Sequence, residues 1–245
     1  MSIFRLASRV SALLLAVATH LVLHGLWRAF RCASPWPRRF LRRFGRIAGA
    51  RTQVTGTPLA RDVLFLSNHL SWIDIPALAG ATGTAFVAKA ELDDTPVIGW
   101  LCRLNGTLFV RRGDRMGIGG QVAGIARALE GGRPVTLFPE GTTGGGKTLL
   151  PFKSTLLAVL EPSPPGLRVQ PVRIDYGPAT TELAWVGEEP GTAHAARVFR
   201  RRGTFTVNLH FLDAFDPADH PGRKAIAVEA RRRIEAALPQ LAPLC

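Results

Sequence analysis

The sequence predicts an α/β fold in which helices flank a central mixed sheet, with an N-terminal helical segment in front of it. Two observations indicate this architecture. Short β-rich runs alternate with helical windows from Val54 onward, and glycine and proline residues separate them. The length of 245 residues also suits one α/β domain with an extension. We therefore predict a helical segment over residues 1–50 and one domain over residues 51–245.

The N-terminal segment combines positive charge with many apolar side chains. Residues 12–27 are almost all apolar, but this run is shorter than the ~20 residues that cross a bilayer comfortably, so it either spans or dips into the membrane. Residues 36–47 separate on a helical wheel into an apolar side and a basic side, as in a helix lying in a membrane interface. The apolar side contains Trp36, Phe40, Leu41, Phe44 and Ile47, and the basic side contains Arg38, Arg39, Arg42, Arg43 and Arg46. We therefore predict a membrane-associated segment.

The arginine distribution indicates the orientation of this segment. More arginines follow residues 12–27 than precede them, so the positive-inside rule places the main domain on the cytoplasmic face of the membrane. A secretory signal peptide is the competing interpretation, because Arg5 and Arg9 precede the apolar run, but no clear A-x-A-like cleavage site follows.

The formal net charge of +13 predicts an anionic partner, either a phosphate polymer or a phospholipid surface. The densest arginines share a helix with an apolar face, and no nucleic-acid-binding motif is visible. We therefore predict an anionic membrane surface as the partner, and no nucleic acid. The three cysteines are scattered without a C-x-x-C pair, so we expect neither a disulfide framework nor a metal site.

Within the main domain, predicted strands and helices alternate. The strands are expected at residues 63–67, 84–88, 106–111, 134–138, 168–174 and 204–211. The helices are expected at residues 75–80, 96–104, 118–129, 152–160 and 223–238. This alternation predicts helices packed on the faces of a sheet.

A histidine and an aspartate, His69 and Asp74, follow the first of these strands. On one continuous helix this spacing would point them in different directions, so a direct pair requires the chain to turn between them. Asp74 is suited to cap a helix whose first turn contains Pro76, which supplies such a corner. The carboxylate could then hold one nitrogen of His69 and leave the other to act as a general base. The alternative is an ordinary helix cap beside a loop histidine.

Two further strand ends carry polar residues. Arg112 closes the strand over residues 106–111, and Glu140, Gly141 and Thr142 follow the strand over residues 134–138. Ligand clefts form at the ends of strands in α/β sheets, and an arginine suits a phosphate oxygen pair. The alternatives are a solvated arginine and a simple turn. The sequence thus predicts one cleft that contains His69, Asp74 and these four residues.

Taken in order, these segments resemble the glycerophospholipid acyltransferase family, typified by 1-acylglycerol-3-phosphate O-acyltransferases. Residues 68–74 resemble its N-H-x-S-x-x-D block, residues 109–112 its F-x-x-R block, residues 138–142 its F-P-E-G-T block, and residues 170–172 its proline-containing strand. The resemblance implies that His69 deprotonates an acceptor hydroxyl as that hydroxyl attacks an acyl thioester, and that Asp74 orients His69. It also implies that Arg112, Glu140, Gly141 and Thr142 help to bind the polar end of the acceptor.

The resemblance also implies the substrates. The acyl donor would be acyl-coenzyme A or acyl-acyl carrier protein, with no further cofactor, so the carrier protein is a possible partner. The acceptor would be a membrane lysophospholipid, in the first place 1-acyl-sn-glycerol-3-phosphate, with lyso-ornithine lipid as the alternative. No G-x-S-x-G nucleophile elbow occurs in the sequence, in agreement with direct transfer.

A nucleotide-binding enzyme is the alternative from another class. Residues 141–148 match the P-loop pattern G-x-x-x-x-G-K-[ST], which would place Lys147 on phosphates and Thr148 on magnesium. Pro151 weakens the helix that should start at Lys147, and no apolar strand ends in a convincing magnesium-binding aspartate. This interpretation also leaves His69 and Asp74 without a role.

Overall fold

The computed structural model describes residues 2–111 and 117–238, and in these residues a seven-stranded sheet forms the centre of the fold. The strands are β1 (Ala50–Thr55), β2 (Val63–Ser67), β3 (Ala85–Lys89), β4 (Leu108–Val110), β5 (Val135–Leu137), β6 (Arg168–Asp175) and β7 (Phe205–Phe211). The α-helices are α1 (Ser2–Ala29), α2 (Trp36–Ala48), α3 (Asp74–Thr82), α4 (Pro96–Leu104), α5 (Ile118–Glu130), α6 (Thr180–Leu183), α7 (Gly191–Arg200) and α8 (Arg223–Ala236). Short 3-10 helices lie at Ala90–Leu92, Thr155–Leu160, Gly177–Ala179 and Pro217–Asp219.

The sheet is mixed, as the sequence predicts. Its strand order is β1-β7-β6-β2-β5-β3-β4. Strands β2 to β6 are mutually parallel, whereas β7 is antiparallel to β6 and β1 is parallel to β7. The carboxyl ends of the five parallel strands therefore meet at one edge of the sheet, where ligand sites form in α/β folds.

Each face of the sheet has its own apolar core. On one face, α2 and α3 pack with side chains such as Phe65 and Val172. On the other face, α5, α8 and the 3-10 helix at Thr155–Leu160 pack with side chains such as Leu66 and Val169. The strands between them are buried on both faces, which explains the continuous apolar run of β2.

Four elements differ from the sequence prediction. Strand β1 was not predicted, because four of its six side chains are polar and it is a strand only through pairing with β7. Helices α6 and α7 were not predicted either. Residues 152–160 were predicted as an α-helix, which is wrong. The backbone N–H of Lys153 donates to the Pro139 carbonyl at 2.8 Å instead of to a carbonyl of its own helix, and the 3-10 helix starts only at Thr155.

Helix α1 is longer than the predicted apolar run. It has 28 residues and contains a stretch that is long and apolar enough to cross a membrane, with only 6% of that window buried. One side of it packs along the domain, where Leu6 and Leu13 contact the core. Large apolar side chains are exposed elsewhere on α1, at Ile3, Phe4, Val10, Leu14, Leu15, Val22, Leu26 and Trp27. Helix α1 is therefore docked on one side and apolar towards the outside.

Arginines of α1 complete the end of α7. The last carbonyls of an α-helix lack partners within the helix. Arg9 donates to the carbonyls of Val198 at 3.1 Å and Phe199 at 3.4 Å, and Arg5 donates to the carbonyl of Arg200 at 3.0 Å. Arg9 also reaches Gly203, just before β7. The N-terminal half of α1 is thus fixed to the domain by directional bonds.

Helix α2 does not present its apolar side outwards, so the predicted interfacial orientation of that side is wrong. Phe40 is buried, and Leu41, Phe44 and Ile47 pack against the core beneath α2. The backbones of α2 and α3 approach so closely that a Cβ at Gly80 would lie 3.0 Å from the Cα of Arg42. The basic side is exposed as predicted.

Candidate active site

His69 and Asp74 form a direct pair at the carboxyl edge of the sheet. His69 lies in the turn after β2, and Asp74 is the first residue of α3. The Nδ1 atom of His69 lies 2.8 Å from Oδ2 of Asp74, and the side chains are 18% and 0% exposed. A carboxylate only accepts hydrogen bonds, so Nδ1 carries the proton and the Nε2 lone pair is left to accept one. The predicted turn between these residues is therefore present.

The Asp74 carboxylate also shapes the turn that carries His69. Its Oδ2 accepts the backbone N–H groups of Leu70 at 2.7 Å and Ser71 at 3.1 Å. The predicted helix cap is wrong in detail, because Ile73 occupies the cap position and the Asp74 side chain reaches back instead of forward. Asn68 fixes the start of the turn by exchanging two hydrogen bonds with the backbone of Ile174, at 2.9 and 2.7 Å.

Tyr176 is a site residue that the sequence analysis missed. It is the single tyrosine of the sequence, lies just after β6 and is fully buried. Its hydroxyl donates to Oδ1 of Asp74. Burial, reinforced by the neighbouring Asp74 charge, raises the pKa of Tyr176 well above its ordinary value, so the phenol remains a donor. The buried Asp74 carboxylate thus accepts hydrogen bonds on both of its oxygens.

Aromatic packing fixes the plane of the His69 ring. The ring stacks on Phe138 with a centroid distance of 4.0 Å and an angle of 14°. Phe138 in turn stacks on Phe86, with centroids 5.9 Å apart. Since Phe138 directly follows β5, the predicted meeting of two strand ends at one site is confirmed for His69 and the residues after β5.

Glu140 lies beneath the same turn and is 3% exposed. One carboxylate oxygen accepts the backbone N–H of His69 at 3.2 Å, and the other accepts that of Leu150 at 3.2 Å. Burial raises the pKa of Glu140 to about 7, although both N–H donors act in the opposite direction. Glu140 therefore helps to hold the backbone of His69 in place. The predicted contact between Glu140 and the polar end of the acyl acceptor stays a prediction.

The other predicted binding residues lie in different surroundings. Gly141 has a φ of 70°, which glycine adopts without strain, and turns the chain directly after Glu140. Thr142 is exposed at this turn. Arg112 lies outside the described residues. The structure therefore places Gly141 and Thr142 beside the His69 turn.

The segment that matches the P-loop pattern has a different conformation. Within the described residues 117–238, no helix starts at Lys147, and the next helical turn begins at Thr155. A P-loop requires a helix whose N-terminus faces the phosphates. The P-loop interpretation is therefore wrong. Instead, the backbone N–H of Gly144 donates to the carbonyl of His69 at 2.7 Å, and the Thr143 hydroxyl donates to the carbonyl of Trp185.

Comparison with known proteins decides the family. The family model described as Acyltransferase matches residues 51–175, which is about half of the chain and includes His69, Asp74 and Glu140. The chain belongs to the acyltransferase family. This acyltransferase is 36% identical over 218 residues to the lyso-ornithine lipid O-acyltransferase of Rhizobium meliloti (strain 1021), covering 81% of this chain and 74% of that protein. It is an O-acyltransferase.

Other relatives agree with this assignment. The lyso-ornithine lipid O-acyltransferase of Rhodobacter capsulatus is 33% identical over 204 residues, covering 79% of the acyltransferase and 72% of the relative. A 1-acyl-sn-glycerol-3-phosphate acyltransferase of Neisseria meningitidis serogroup B is 38% identical over 94 residues, covering 38% of this chain and 37% of that protein. The crystal structure of the 1-acyl-sn-glycerophosphate (LPA) acyltransferase PlsC from Thermotoga maritima superposes with a TM-score of 0.67 at 20% identity, covering all of both chains, and supports the fold of the acyltransferase.

Proposed function

We propose that this acyltransferase moves an acyl group from a thioester to the free hydroxyl of a membrane lysolipid, with His69 as the general base. The observation that carries this proposal is the 2.8 Å contact between Nδ1 of His69 and Asp74. It fixes the tautomer that leaves Nε2 as a proton acceptor on a partly exposed ring at the ligand edge of the sheet.

The chemistry follows from this arrangement. Nε2 of His69 takes the hydroxyl proton as the acceptor oxygen forms a bond to the thioester carbonyl carbon. The carbon–sulfur bond then breaks, and the imidazolium returns the proton to the leaving thiolate. Asp74 stabilises the imidazolium, and the N–H and O–H donors around Asp74 hold its carboxylate in position. The residues thus supply a base, an orienting carboxylate and a fixed ring, and no covalent acyl-enzyme is needed.

Two acceptors have support from relatives. The Neisseria relative supports 1-acyl-sn-glycerol-3-phosphate over 38% of the chain. The Rhizobium relative supports a lyso-ornithine lipid over 81% of the chain. Arg112, Glu140, Gly141 and Thr142 are proposed to contact the polar end of either acceptor. Acyl-coenzyme A and acyl-acyl carrier protein are both proposed as donors.

The N-terminal helices are proposed to hold the enzyme at the membrane that contains the acceptor. The exposed apolar side of α1 supports membrane association. The opposite side of α1 is bound to the domain through Arg5 and Arg9, so we propose that α1 lies along one leaflet. The arginine excess after residues 12–27 supports the cytoplasmic leaflet.

Transfer of labelled acyl groups tests the proposal. Purified enzyme in detergent is given each thioester donor with a panel that contains 1-acyl-sn-glycerol-3-phosphate, a lyso-ornithine lipid and other lysolipids. We expect label in a diacyl product, and no product from a folded His69→Ala variant. A His220→Ala variant, altered on the other face of the sheet where His220 contacts Phe215, is the matched control and should be active. Near-normal transfer by His69→Ala would refute the role of His69.

A further inference from the structure

A buried histidine of α7 forms a hydrogen-bonded connection to the turn of the active site. His194 is fully buried, and its Nδ1 lies 2.9 Å from the indole Nε1 of Trp72. Its Nε2 lies 3.0 Å from the carbonyl oxygen of Leu183. An indole nitrogen only donates and a carbonyl only accepts, so Nδ1 must be the acceptor and Nε2 must carry the proton. Both ring nitrogens of a neutral His194 are therefore used.

Trp72 lies between His69 and Asp74 in the sequence, within the turn that brings these two residues together. Its backbone carbonyl accepts the N–H of Ile75 at 3.2 Å, so its position is linked to the first turn of α3. Its ring stacks on Phe44 of α2, with centroids 5.5 Å apart, and on Phe199 of α7, with centroids 6.0 Å apart. Phe44 and Phe199 also pack on each other, with centroids 6.4 Å apart, so the three rings form one cluster. The bond from the indole N–H to His194 is the directional contact that sets the orientation of the Trp72 ring within this cluster.

The surroundings of His194 agree with a neutral ring. Burial lowers its pKa, and the nearby Arg197 acts in the same direction, whereas Glu189 acts in the opposite direction. Glu189 is paired with Arg197 at 2.7 Å. Trp185 packs on the ring, with centroids 5.4 Å apart. His194 also lies beyond the segment matched by the family model, which ends at residue 175.

We propose that His194 is a positioning residue, which holds Trp72 and thereby the turn that places His69 against Asp74. This inference rests on the proposed function of His69. The same hydrogen bond also connects the turn to α7, the helix whose last carbonyls bind Arg5 and Arg9 of α1. Small displacements of a catalytic group strongly reduce reaction rates, so the connection should affect turnover more than substrate binding.

Four variants test this role. His194→Leu keeps the bulk of the side chain and removes both hydrogen bonds, whereas His194→Gln keeps one acceptor for Trp72 and one donor for Leu183. Trp72→Phe keeps an aromatic ring against Phe44 and Phe199 and removes the indole N–H.

We expect His194→Leu and Trp72→Phe each to lower kcat about 10-fold or more. The KM values should change less than twofold. His194→Gln should recover kcat to within about threefold, and the double variant Trp72→Phe/His194→Leu should lose no more than either single variant.

Several outcomes would overturn the proposal. They are normal kcat in a folded His194→Leu variant, equal losses in His194→Leu and His194→Gln, or multiplied losses in the double variant. If His194→Leu does not fold, Trp72→Phe carries the test, and normal kcat in that variant would overturn the proposal. His220→Leu is the matched control.

A measurement without substrates separates this proposal from the proposed function. Hydrogen exchange at the amides of Leu70 and Ser71, which both bond to Asp74, reports the order of the turn. We expect exchange at least threefold faster in His194→Leu than in His194→Gln. Equal exchange would reject the positioning role even if the enzyme accepted none of the tested lysolipids.

Discussion

The hydroxyl of Tyr176 donates to Oδ1 of Asp74, while Oδ2 of the same carboxylate accepts the hydrogen bond from Nδ1 of His69. One buried carboxylate therefore connects the end of β6 to the turn after β2. Asp74 both orients His69 and binds two backbone N–H groups of the turn, so a change at Tyr176 should act on His69 through Asp74.

Tyr176→Phe should reduce activity and stability together. The variant keeps the aromatic packing against Phe205 but removes one donor from a buried charge. Hydrogen bonds to charged groups contribute about 1.5–3 kcal/mol, so we expect kcat to fall about 10-fold and the free energy of unfolding to fall by about 2 kcal/mol. Steady-state transfer and urea unfolding measure the two effects. Unchanged kcat in this variant would mean that Tyr176 does not support Asp74 during catalysis.

Asp74→Asn should separate orientation from charge. The amide oxygen can still accept the N–H groups of Leu70 and Ser71, but a neutral amide does not stabilise the imidazolium. We expect kcat to fall about 10²- to 10⁴-fold with little change in the KM of the acceptor. The measurement is transfer under saturating donor, with circular dichroism as the check on folding. A loss of less than threefold would contradict the proposed pair.

Glu140→Gln should change how stability depends on pH. The pKa of Glu140 is raised from 4.5 to about 7 in the folded protein, so the folded state binds more protons than the unfolded state between these values. The contribution of Glu140 is therefore complete below pH 4.5 and is lost as the pH rises to about 7. Glutamine does not titrate. The decline in the free energy of unfolding across this window should be smaller in the variant, by about 3 kcal/mol.

Urea unfolding at several pH values tests this prediction by the difference between the two proteins, since other groups titrate equally in both. Parallel stability profiles for wild type and Glu140→Gln would show that Glu140 is ionised as easily in the folded chain as in the unfolded one.

Exposed side chains of α1 should control membrane binding without affecting the core. We expect the double variant Leu14→Ser/Leu15→Ser to partition into vesicles of anionic phospholipid at least about 10-fold more weakly, because two exposed apolar side chains no longer enter the lipid. Its urea unfolding should be unchanged. Leu13→Ser is the comparison, because Leu13 packs against the core and its replacement should lower stability. Vesicle flotation measures binding, and undiminished flotation of the double variant would place the contact elsewhere.

The sequence predicted correctly those helices and strands whose own residues show a clear apolar pattern. Strand β2 and helix α4 have the predicted bounds, because a continuous apolar run and a proline-started apolar helix are visible within a few residues. Strand β1 could not be predicted in this way. Its side chains are mostly polar and exposed, and it exists because β7 offers backbone groups to pair with.

In the candidate site, too, only the residues in short local motifs could be predicted from the sequence. His69, Asp74 and Glu140 lie in short motifs at strand ends and could be found from them. Tyr176 and His194 could not, because they are 102 and 122 positions from the residues that they contact. The apolar side of α2 was placed in the membrane because a helical wheel shows that a side is apolar but not what covers it.

The bonds between Arg9 and the end of α7 also constrain how the chain is made. Arg9 and Gly203 are 194 positions apart, and β1 pairs only with β7 in the described sheet. During synthesis, the first helix therefore leaves the ribosome long before the carbonyls that fix it exist. The edge of the sheet closes only after most of the chain has been translated. A premature stop before β7 would thus remove support from the opposite end of the protein, so the integrity of the N-terminal helices depends on the last fifth of the chain.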